Sequence, residues 1–240
     1  MRTMSFTNEQ GKINKIAVLI PCFNEAGTIA KVVREYRSAL PEAVIMVCDN
    51  HSSDGTGEIA QAAGASVIVE NTQGKGAAMR RLFASVDAEC YFMVDGDDTY
   101  PPQQAREMCA LVLKGAADMV IGDRLSSSYF SENKRMFHGE GNHLIRFLVN
   151  LFWGGRNTYV KDILTGSRAL SRDFVQSYHI RSDGFEIETE MTIFALKHHF
   201  TIKNIPIPYK DRPRGSESKL KTISDGRKIL WLIFKEALMK

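Results

Sequence analysis

The chain has 240 residues, 44% of them hydrophobic and 25% charged, with a formal net charge of +3; that is enough apolar material for one domain with a sizeable core. It contains no low-complexity block, internal repeat or Gly/Ser linker. Met1–Lys12 is polar and lacks the apolar stretch of a secretory signal, no run reaches the roughly 18 apolar residues that span a bilayer, and neither zinc-finger spacing nor an RNP aromatic motif marks a nucleic-acid binder.

In chain order, Lys15–Pro21 predicts a buried strand ended by its proline, and Ile29, Val32, Val33, Tyr36 and Leu40 recur at the spacing of an amphipathic helix packed back on it. Val44–Cys48 predicts a second strand, followed by a polar turn over Asp49–Thr56, a helix through Ala63 and a third strand over Ser66–Val69. This βαβαβ order implies one parallel sheet with right-handed crossovers. Gln73-Gly74-Lys75-Gly76 is the next turn; its glycines let backbone amides approach a phosphate and its lysine adds charge. Walker A spacing is absent, and a plain turn is the simpler reading. The helix after it carries Met79, Leu82, Phe83 and Val86 on one face, with Arg80 and Arg81 off that stripe.

Cys90–Val94 predicts a buried parallel strand. It runs into Asp95-Gly96-Asp97-Asp98-Thr99-Tyr100-Pro101-Pro102, whose prolines start a helix marked by Ala105, Met108, Cys109 and Val112. The acidic turn thus falls at a strand's carboxyl end, where open α/β sheets bind ligands. Asp95 and Asp97, spaced Asp-x-Asp, can grip a hard divalent cation whose remaining positions take phosphate oxygens; a solvated turn is the alternative. Asp118–Ile121 predicts a further strand ending in Gly122-Asp123-Arg124, and the polar Leu125–His138 a mobile loop over the site.

Leu144–Trp153 is apolar nearly all round and flanked by bases, so it is either a buried core helix or a helix lying in a membrane interface. Thr165–Leu170 predicts a short strand. A helix over Glu186–Lys197 places Ile187, Met191, Phe194 and Ala195 on one stripe, with Glu186, Glu188 and Glu190 crowding its first turns, where acidic residues commonly complement the helix dipole. Ile202–Tyr209 is a last strand, assigned to a sheet edge by Pro206 and Pro208. Lys210–Lys219 is a flexible basic loop, and a final helix presents Leu230, Ile233, Phe234 and Ala237 on one face with Trp231 beside it. Residues 201–240 hold ten Lys/Arg against four Asp/Glu, a balance that suits an anionic partner. Cys22, Cys48, Cys90 and Cys109 are widely spaced without a Cys-x-x-Cys pair; they are expected to be buried, reduced thiols of a cytosolic protein, with no zinc site.

The turns Pro21-Cys22-Phe23-Asn24-Glu25, Asp49–Thr56, Gly74-Lys75-Gly76, Asp95-Gly96-Asp97, Gly166-Ser167-Arg168 and Arg212–Lys219 follow one another in that order. In them the chain, from Ile16 to Ile229, resembles the nucleotide-sugar-dependent glycosyltransferases of family two, in particular the branch of dolichyl-phosphate mannosyltransferase and bacterial polyprenyl-phosphate glycosyltransferases. The resemblance implies an α/β fold, the GT-A (Rossmann-like) three-layer sandwich with a mostly parallel central sheet. It divides the chain into a flexible amino terminus (1–14), a catalytic domain (15–221) and a carboxyl-terminal amphipathic helix (222–240). It implies that Pro21, Asn24 and Glu25 line the nucleoside pocket, that Asp49 accepts from the base N–H, and that Lys75 and Arg80 lie near base or phosphate. Asp95 and Asp97, with Gly96 between them, match the carboxylates that bind Mg²⁺ or Mn²⁺. Arg124, Arg212 and Lys219 resemble residues that contact the diphosphate or the acceptor phosphate, and Glu190 stands where related enzymes carry an acidic residue beside the acceptor. Two positions depart from the pattern: Asn50 replaces the second aspartate common in its motif, and Thr99 stands where the mannosyltransferases have glutamine, which weakens GDP-mannose as donor.

Displacing a nucleoside diphosphate from sugar C1 develops negative charge on the leaving oxygen, which a bridging cation and nearby Lys/Arg stabilise. A lipid phosphate acceptor is already anionic near neutral pH, with a second pKa of roughly 6, and needs no strong base. A saccharide hydroxyl needs a carboxylate within reach, for which Glu190 and Asp162 are the candidates. The leading expectation is a metal-dependent, inverting transfer of a hexose from a UDP- or GDP-linked sugar to undecaprenyl or dolichyl phosphate, by a cytoplasmic protein peripheral at the inner face of a membrane. The same donor chemistry with a saccharide hydroxyl acceptor is the alternative. A nucleotide-binding module without turnover is opposed by the intact Asp95 and Asp97, and a dinucleotide dehydrogenase by the lack of Gly-x-Gly-x-x-Gly after the first strand.

Overall fold

The structure, a computed structural model, describes residues 13–126, 138–155, 158–213, 219 and 222–239. Its first half alternates strand and helix: β1 (Asn14–Cys22), α1 (Ile29–Ala39), β2 (Val44–Asp49), α2 (Thr56–Ala62), β3 (Ser66–Val69), α3 (Lys75–Ser85) and β4 (Ala88–Met93). A short 3-10 turn leads into α4 (Ala105–Leu113) and β5 (Met119–Asp123). Then follow α5 (His138–Trp153), β6 (Arg168–Ser171), α6 (Arg172–Ser177), α7 (Ile187–Lys197), β7 (Ile202–Pro206) and α8 (Thr222–Leu238). The expected flexible amino terminus up to residue 12, residues 127–137 of the polar loop and residues 214–218 of the basic loop lie outside the described residues.

The strands form one sheet in the order β3-β2-β1-β4-β6-β5-β7, with β7 at an edge as its prolines require. β1 to β4 pair in parallel, as do β5 and β7, and β6 runs antiparallel between β4 and β5. Alternation along β1 divides the core: Ile16, Val18 and Ile20 face α1, α2 and α4, while Ala17 and Leu19 face α3 and α5 to α8. The result is the three-layer sandwich. β1 leads to β2 on one side and has β4 on the other, so the carboxyl ends of β1, β2 and β4 open at a switch point of the sheet.

Several local expectations shift, each for a physical reason. β1 continues through Pro21 and pairs Cys22 with Asp49. Pro21 shares the parity of Leu19, whose carbonyl accepts from Val94 N–H on the β4 side; the missing proline N–H therefore faces the side where β4 has already ended. The strand expected over Thr165–Leu170 begins only at Arg168, because the Gly166 and Ser167 amides donate to the Tyr100 hydroxyl and to Thr165 Oγ1. α7 is buried on nearly every side: Glu188, Thr189, Glu190 and Thr192 are covered along with Ile187 and Met191.

The two helices around the basic end are amphipathic in ways the apolar pattern blurs. α5 is neither fully buried nor fully exposed: Ile145 and Val149 enter the core, while Leu144, Phe147 and Leu151 are 48%, 60% and 60% exposed. In α8 the buried stripe is Asp225, Ile229, Ile233 and Glu236, so the expected stripe is rotated and Phe234 and Trp231 face outward. Glu236 can be covered because Arg181 and Lys197 pair with it at 2.7 and 2.9 Å. The Phe152 and Phe234 rings lie 6.4 Å apart, joining the apolar outer faces of the two helices. No helix among the described residues is long and apolar enough to cross a membrane. All four cysteines are free and buried.

Candidate active site

The acidic turn after β4 is held from behind by α1. Thr28 Oγ1 donates to the Gly96 carbonyl at 2.7 Å, and the Tyr36 hydroxyl to the Tyr100 carbonyl at 3.2 Å. Residue 96 must be glycine, since a Cβ there would run into Cys22 Sγ. Asp97 is buried; its Oδ1 accepts from the Thr99 amide and hydroxyl at 3.1 and 2.7 Å, and its Oδ2 pairs with Arg212 at 2.5 Å. Thr99, the departure noted in the sequence, is thus occupied in shaping the turn. Asp95 Oδ1 lies 2.5 Å from Lys75 Nζ. A Cβ at Gly166 would collide with the Asp95 carboxylate, which explains that glycine.

Lys75 is buried between two carboxylates, Asp95 and Glu188, each at 2.5 Å. Burial disfavours its ammonium, yet the two anions outweigh that cost and hold its pKa above the ordinary lysine value. Sequence reasoning passed over Glu188 among the helix-start acids; the buried lysine facing it is the signal, and it appears only in three dimensions. The glycines around Lys75 do not cradle a phosphate. Gly76 and Ala77 amides at the start of α3 donate to the Asp183 carbonyl at 2.8 and 3.2 Å, and a Cβ at Gly74 or Gly76 would strike the 182–183 backbone. Arg80 secures the same segment, donating to the Ile180 and Ser182 carbonyls and pairing with Asp183 at 2.8 Å. It faces its own chain and is absent from the cavity lining.

At the opposite end, Asn24 adopts a left-handed backbone (φ 52°) and locks two loops together: its amide donates to Ser52 Oγ and its Oδ1 accepts from the Ser53 amide. Asp49 Oδ1 accepts from the Ser52 amide at 2.9 Å. Asn24 and Asp49 therefore shape these loops without lining the cavity, whereas Pro21, Glu25 and Asn50 do line it. Asn50 is buried and ties this turn to residues 70–74, donating to the Glu70 and Thr72 carbonyls and accepting from the Gly74 amide. An aspartate could not make those two donations, a physical reason for the departure at this position.

Arg124 is likewise occupied. It forms a two-pronged pair with fully buried Asp162 at 2.7 and 2.9 Å, beside the rings of Tyr100 and Tyr209. Neither Arg124 nor Asp162 lines the cavity. Glu190 does, but both its oxygens accept backbone amides, from Arg181 at 2.9 Å and Ser182 at 2.8 Å. Arg212 bridges Asp97 and Glu25, at 2.5 and 3.6 Å, and Lys219 stands in the same wall. The cavity is about 850 Å³, and α8 contributes Lys228, Trp231 and Lys235 to its lining. That contribution of α8 was not expected from the sequence.

The charge at the turn fits a divalent cation. Burial and then Asp97 push the Glu25 carboxyl up to about 7, and burial and then Asp95 raise Asp97, so the ionised forms of Glu25 and Asp97 are both disfavoured. Among the described residues no three His, Cys, Asp or Glu side chains gather as a complete ligand set. Asp95 and Asp97 would hold Mg²⁺ or Mn²⁺ with the remaining positions left to phosphate oxygens.

Comparison with known proteins places the chain in a family. The family model for glycosyl transferase family 2 matches residues 17–178. Glycosyltransferase AglJ of Haloferax volcanii is 36% identical over 223 residues, 92% of this chain and 72% of that protein. The dolichyl-phosphate hexose transferase of the same organism is 29% identical, covering 89% of this chain and 90% of its own. Among solved structures, glucosyl-3-phosphoglycerate synthase from Mycobacterium tuberculosis, in complex with Mn²⁺, UDP-glucose and phosphoglyceric acid, superposes with a TM-score of 0.71 at 20% identity, covering 93% of this chain and 80% of that one. With the acidic turn at the switch point of a mostly parallel three-layer sheet, the chain belongs to glycosyl transferase family 2 and is a nucleotide-sugar-dependent glycosyltransferase of the GT-A fold.

Proposed function

We propose that the protein moves a hexose, with inversion, from a nucleotide-diphosphate sugar to a polyprenyl phosphate at the cytoplasmic face of a membrane. The observation that carries this reading is the make-up of the cavity beside the acidic turn, whose lining includes the cationic Arg212, Lys219, Lys228 and Lys235 together with Trp231. The candidate bases for a hydroxyl acceptor are already engaged, Asp162 by Arg124 and Glu190 by two amides. A phosphate monoester needs no such base, since its oxygen is anionic near neutral pH. The names of two relatives, dolichyl-phosphate hexose transferase and polyprenol monophosphomannose synthase, accord with a lipid phosphate.

Pro21, Glu25 and Asn50 would bound the nucleoside end of the donor. Asp95 and Asp97 would hold Mg²⁺ or Mn²⁺, which offsets charge on the departing diphosphate. Lys75 fixes the Asp95 carboxylate in place. Arg212 and Lys219 supply cationic donors to the incoming phosphate, for which a planar guanidinium is well matched.

Arg212→Ala and Lys219→Ala are each expected to reduce transfer to polyprenyl phosphate far more than they weaken nucleotide binding, with a charged hydrogen bond worth on the order of 1.5–3 kcal/mol. The assay compares polyprenyl phosphate, 3-phosphoglycerate and a panel of soluble saccharides. A wild-type enzyme that glycosylates either soluble class and ignores the lipid phosphate would overturn the acceptor assignment. Membrane attachment is tested separately. Phe147 and Leu151 of α5 and Trp231 and Phe234 of α8 are exposed, and α8 also carries basic residues, a composition suited to an interface. Binding to anionic vesicles should exceed binding to neutral ones and weaken as salt rises, because charge is screened within about 8 Å at physiological ionic strength. Equal retention on both vesicle types removes the electrostatic part of the proposal.

A further inference from the structure

We infer that Asp98 is a positioning residue: through Lys31 and Lys210 it straps the segment after β7 to the acidic turn and thereby sets Arg212 over Asp97. Sequence reasoning gave Asp98 no role, since only its neighbours Asp95 and Asp97 have the Asp-x-Asp spacing.

The geometry is that of a three-point fastening. Asp98 is buried, and each of its oxygens meets a lysine at 2.7 Å, Oδ2 with Lys31 of α1 and Oδ1 with Lys210 beyond β7. The Lys210 amide donates to the Thr99 carbonyl at 3.1 Å, so the strap is bound through both side chain and backbone. Two residues further on, Arg212 reaches Asp97 and Glu25. Asp98 itself has φ 61°, a left-handed conformation that aspartate and asparagine tolerate better than most side chains. Its carboxylate reaches Lys31 of α1, while Thr28, just before that helix, donates to the Gly96 carbonyl and Tyr36 within it to the Tyr100 carbonyl. The turn is thus pinned to α1 at three successive places, and Asp98 is the one that also carries a second chain segment. Asp98 would touch neither donor nor acceptor and would act only through Arg212. The inference therefore rests on the proposed role of Arg212, although the strap itself does not.

The test is a double-mutant cycle of Asp98→Asn and Arg212→Ala in the full chain, read both as transfer and as donor hydrolysis without acceptor. Asp98→Asn keeps shape and backbone preference but removes the charge that holds Lys210. It is expected to lower kcat roughly tenfold to a hundredfold, the scale of a misplacement of about 1 Å, with KM for the nucleotide sugar changed by less than about twofold. The double variant should be no slower than Arg212→Ala alone. Lys210→Ala should reproduce the loss and Lys210→Arg should restore most of it, which also covers the case in which the Asp98 variant folds poorly. Multiplying effects of Asp98→Asn and Arg212→Ala, or wild-type kcat in Asp98→Asn, would overturn the inference. If polyprenyl phosphate proves not to be the acceptor while the two positions still couple in donor hydrolysis, the acceptor proposal fails and the positioning role stands. Limited trypsin digestion gives a readout independent of turnover: cleavage between Lys210 and Asp211 should quicken by at least about tenfold in Asp98→Asn. Unchanged cleavage would mean that the strap does not depend on Asp98.

Discussion

Asp97→Ala is expected to lower turnover by at least about a hundredfold, the scale on which removing one preorganised electrostatic group acts, while the fold persists. Its carboxylate is the better buried of the Asp-x-Asp pair and lies in contact with Arg212, so on the proposed reading its loss removes a cation ligand and leaves the guanidinium that should meet phosphate with the more distant Glu25. Folding should tolerate the change. Burial and the neighbouring Asp95 already raise the Asp97 pKa, which means its ionised form is held against an unfavourable field, and alanine relieves that repulsion. Circular dichroism should be unchanged and the thermal midpoint lowered only modestly, by loss of the two Thr99 hydrogen bonds and the Arg212 pair. Undiminished transfer by the variant in excess Mn²⁺ would sink the assignment of Asp97 to the metal.

Lys75→Ala should have the largest effect on stability. The ammonium is buried between Asp95 and Glu188 at 2.5 Å each, with Glu188 itself covered on all sides. Removing one member of a buried pair leaves an uncompensated charge, at a cost of roughly 3–5 kcal/mol. Denaturant titration measures that loss directly. Lys75→Met combined with Glu188→Leu should recover most of the stability, because an apolar pair of similar volume is often as stable as the ions it replaces. Turnover should remain low in the double variant, since Asp95 has lost the group that holds it. Full activity in that variant would show that the pair serves only the fold.

How far the sequence could be read follows from what kind of information each feature needs. The strands at Ala17–Ile20, Val44–Cys48 and Cys90–Met93 are legible because both faces of the sheet are covered and local composition alone reports it. The outward rotation of Phe234 in α8 is not, because the buried stripe contains Asp225 and Glu236, and Glu236 becomes compatible with burial only through Arg181 and Lys197. The structure brings Arg212 and Asp97 of the Asp-x-Asp turn, read separately in the sequence, into contact. Charge in sequence does not say whom it meets: Arg80, expected near base or phosphate, is directed by the fold to carbonyls of 180–182, and Arg124, expected near diphosphate or acceptor phosphate, to Asp162. Glu188 and Asp98 escaped for the converse reason, their lysine partners being distant in the chain.

The match to the family ends at residue 178, yet Arg181, Glu190, Arg212, Lys219 and the whole contribution of α8 to the cavity wall come later. On the proposed reading, the donor is gripped mainly by the earlier stretch and the acceptor is met mainly by the later one. On that reading the second stretch could be exchanged without rewriting the first, and a chain keeping this donor half would then meet a different acceptor. One tether limits that freedom: Glu188, in the later stretch, holds Lys75 and through it Asp95 in the earlier one. A transplanted carboxyl-terminal portion must bring an anion at that place, and a chimera lacking it should fail in the donor half it left untouched.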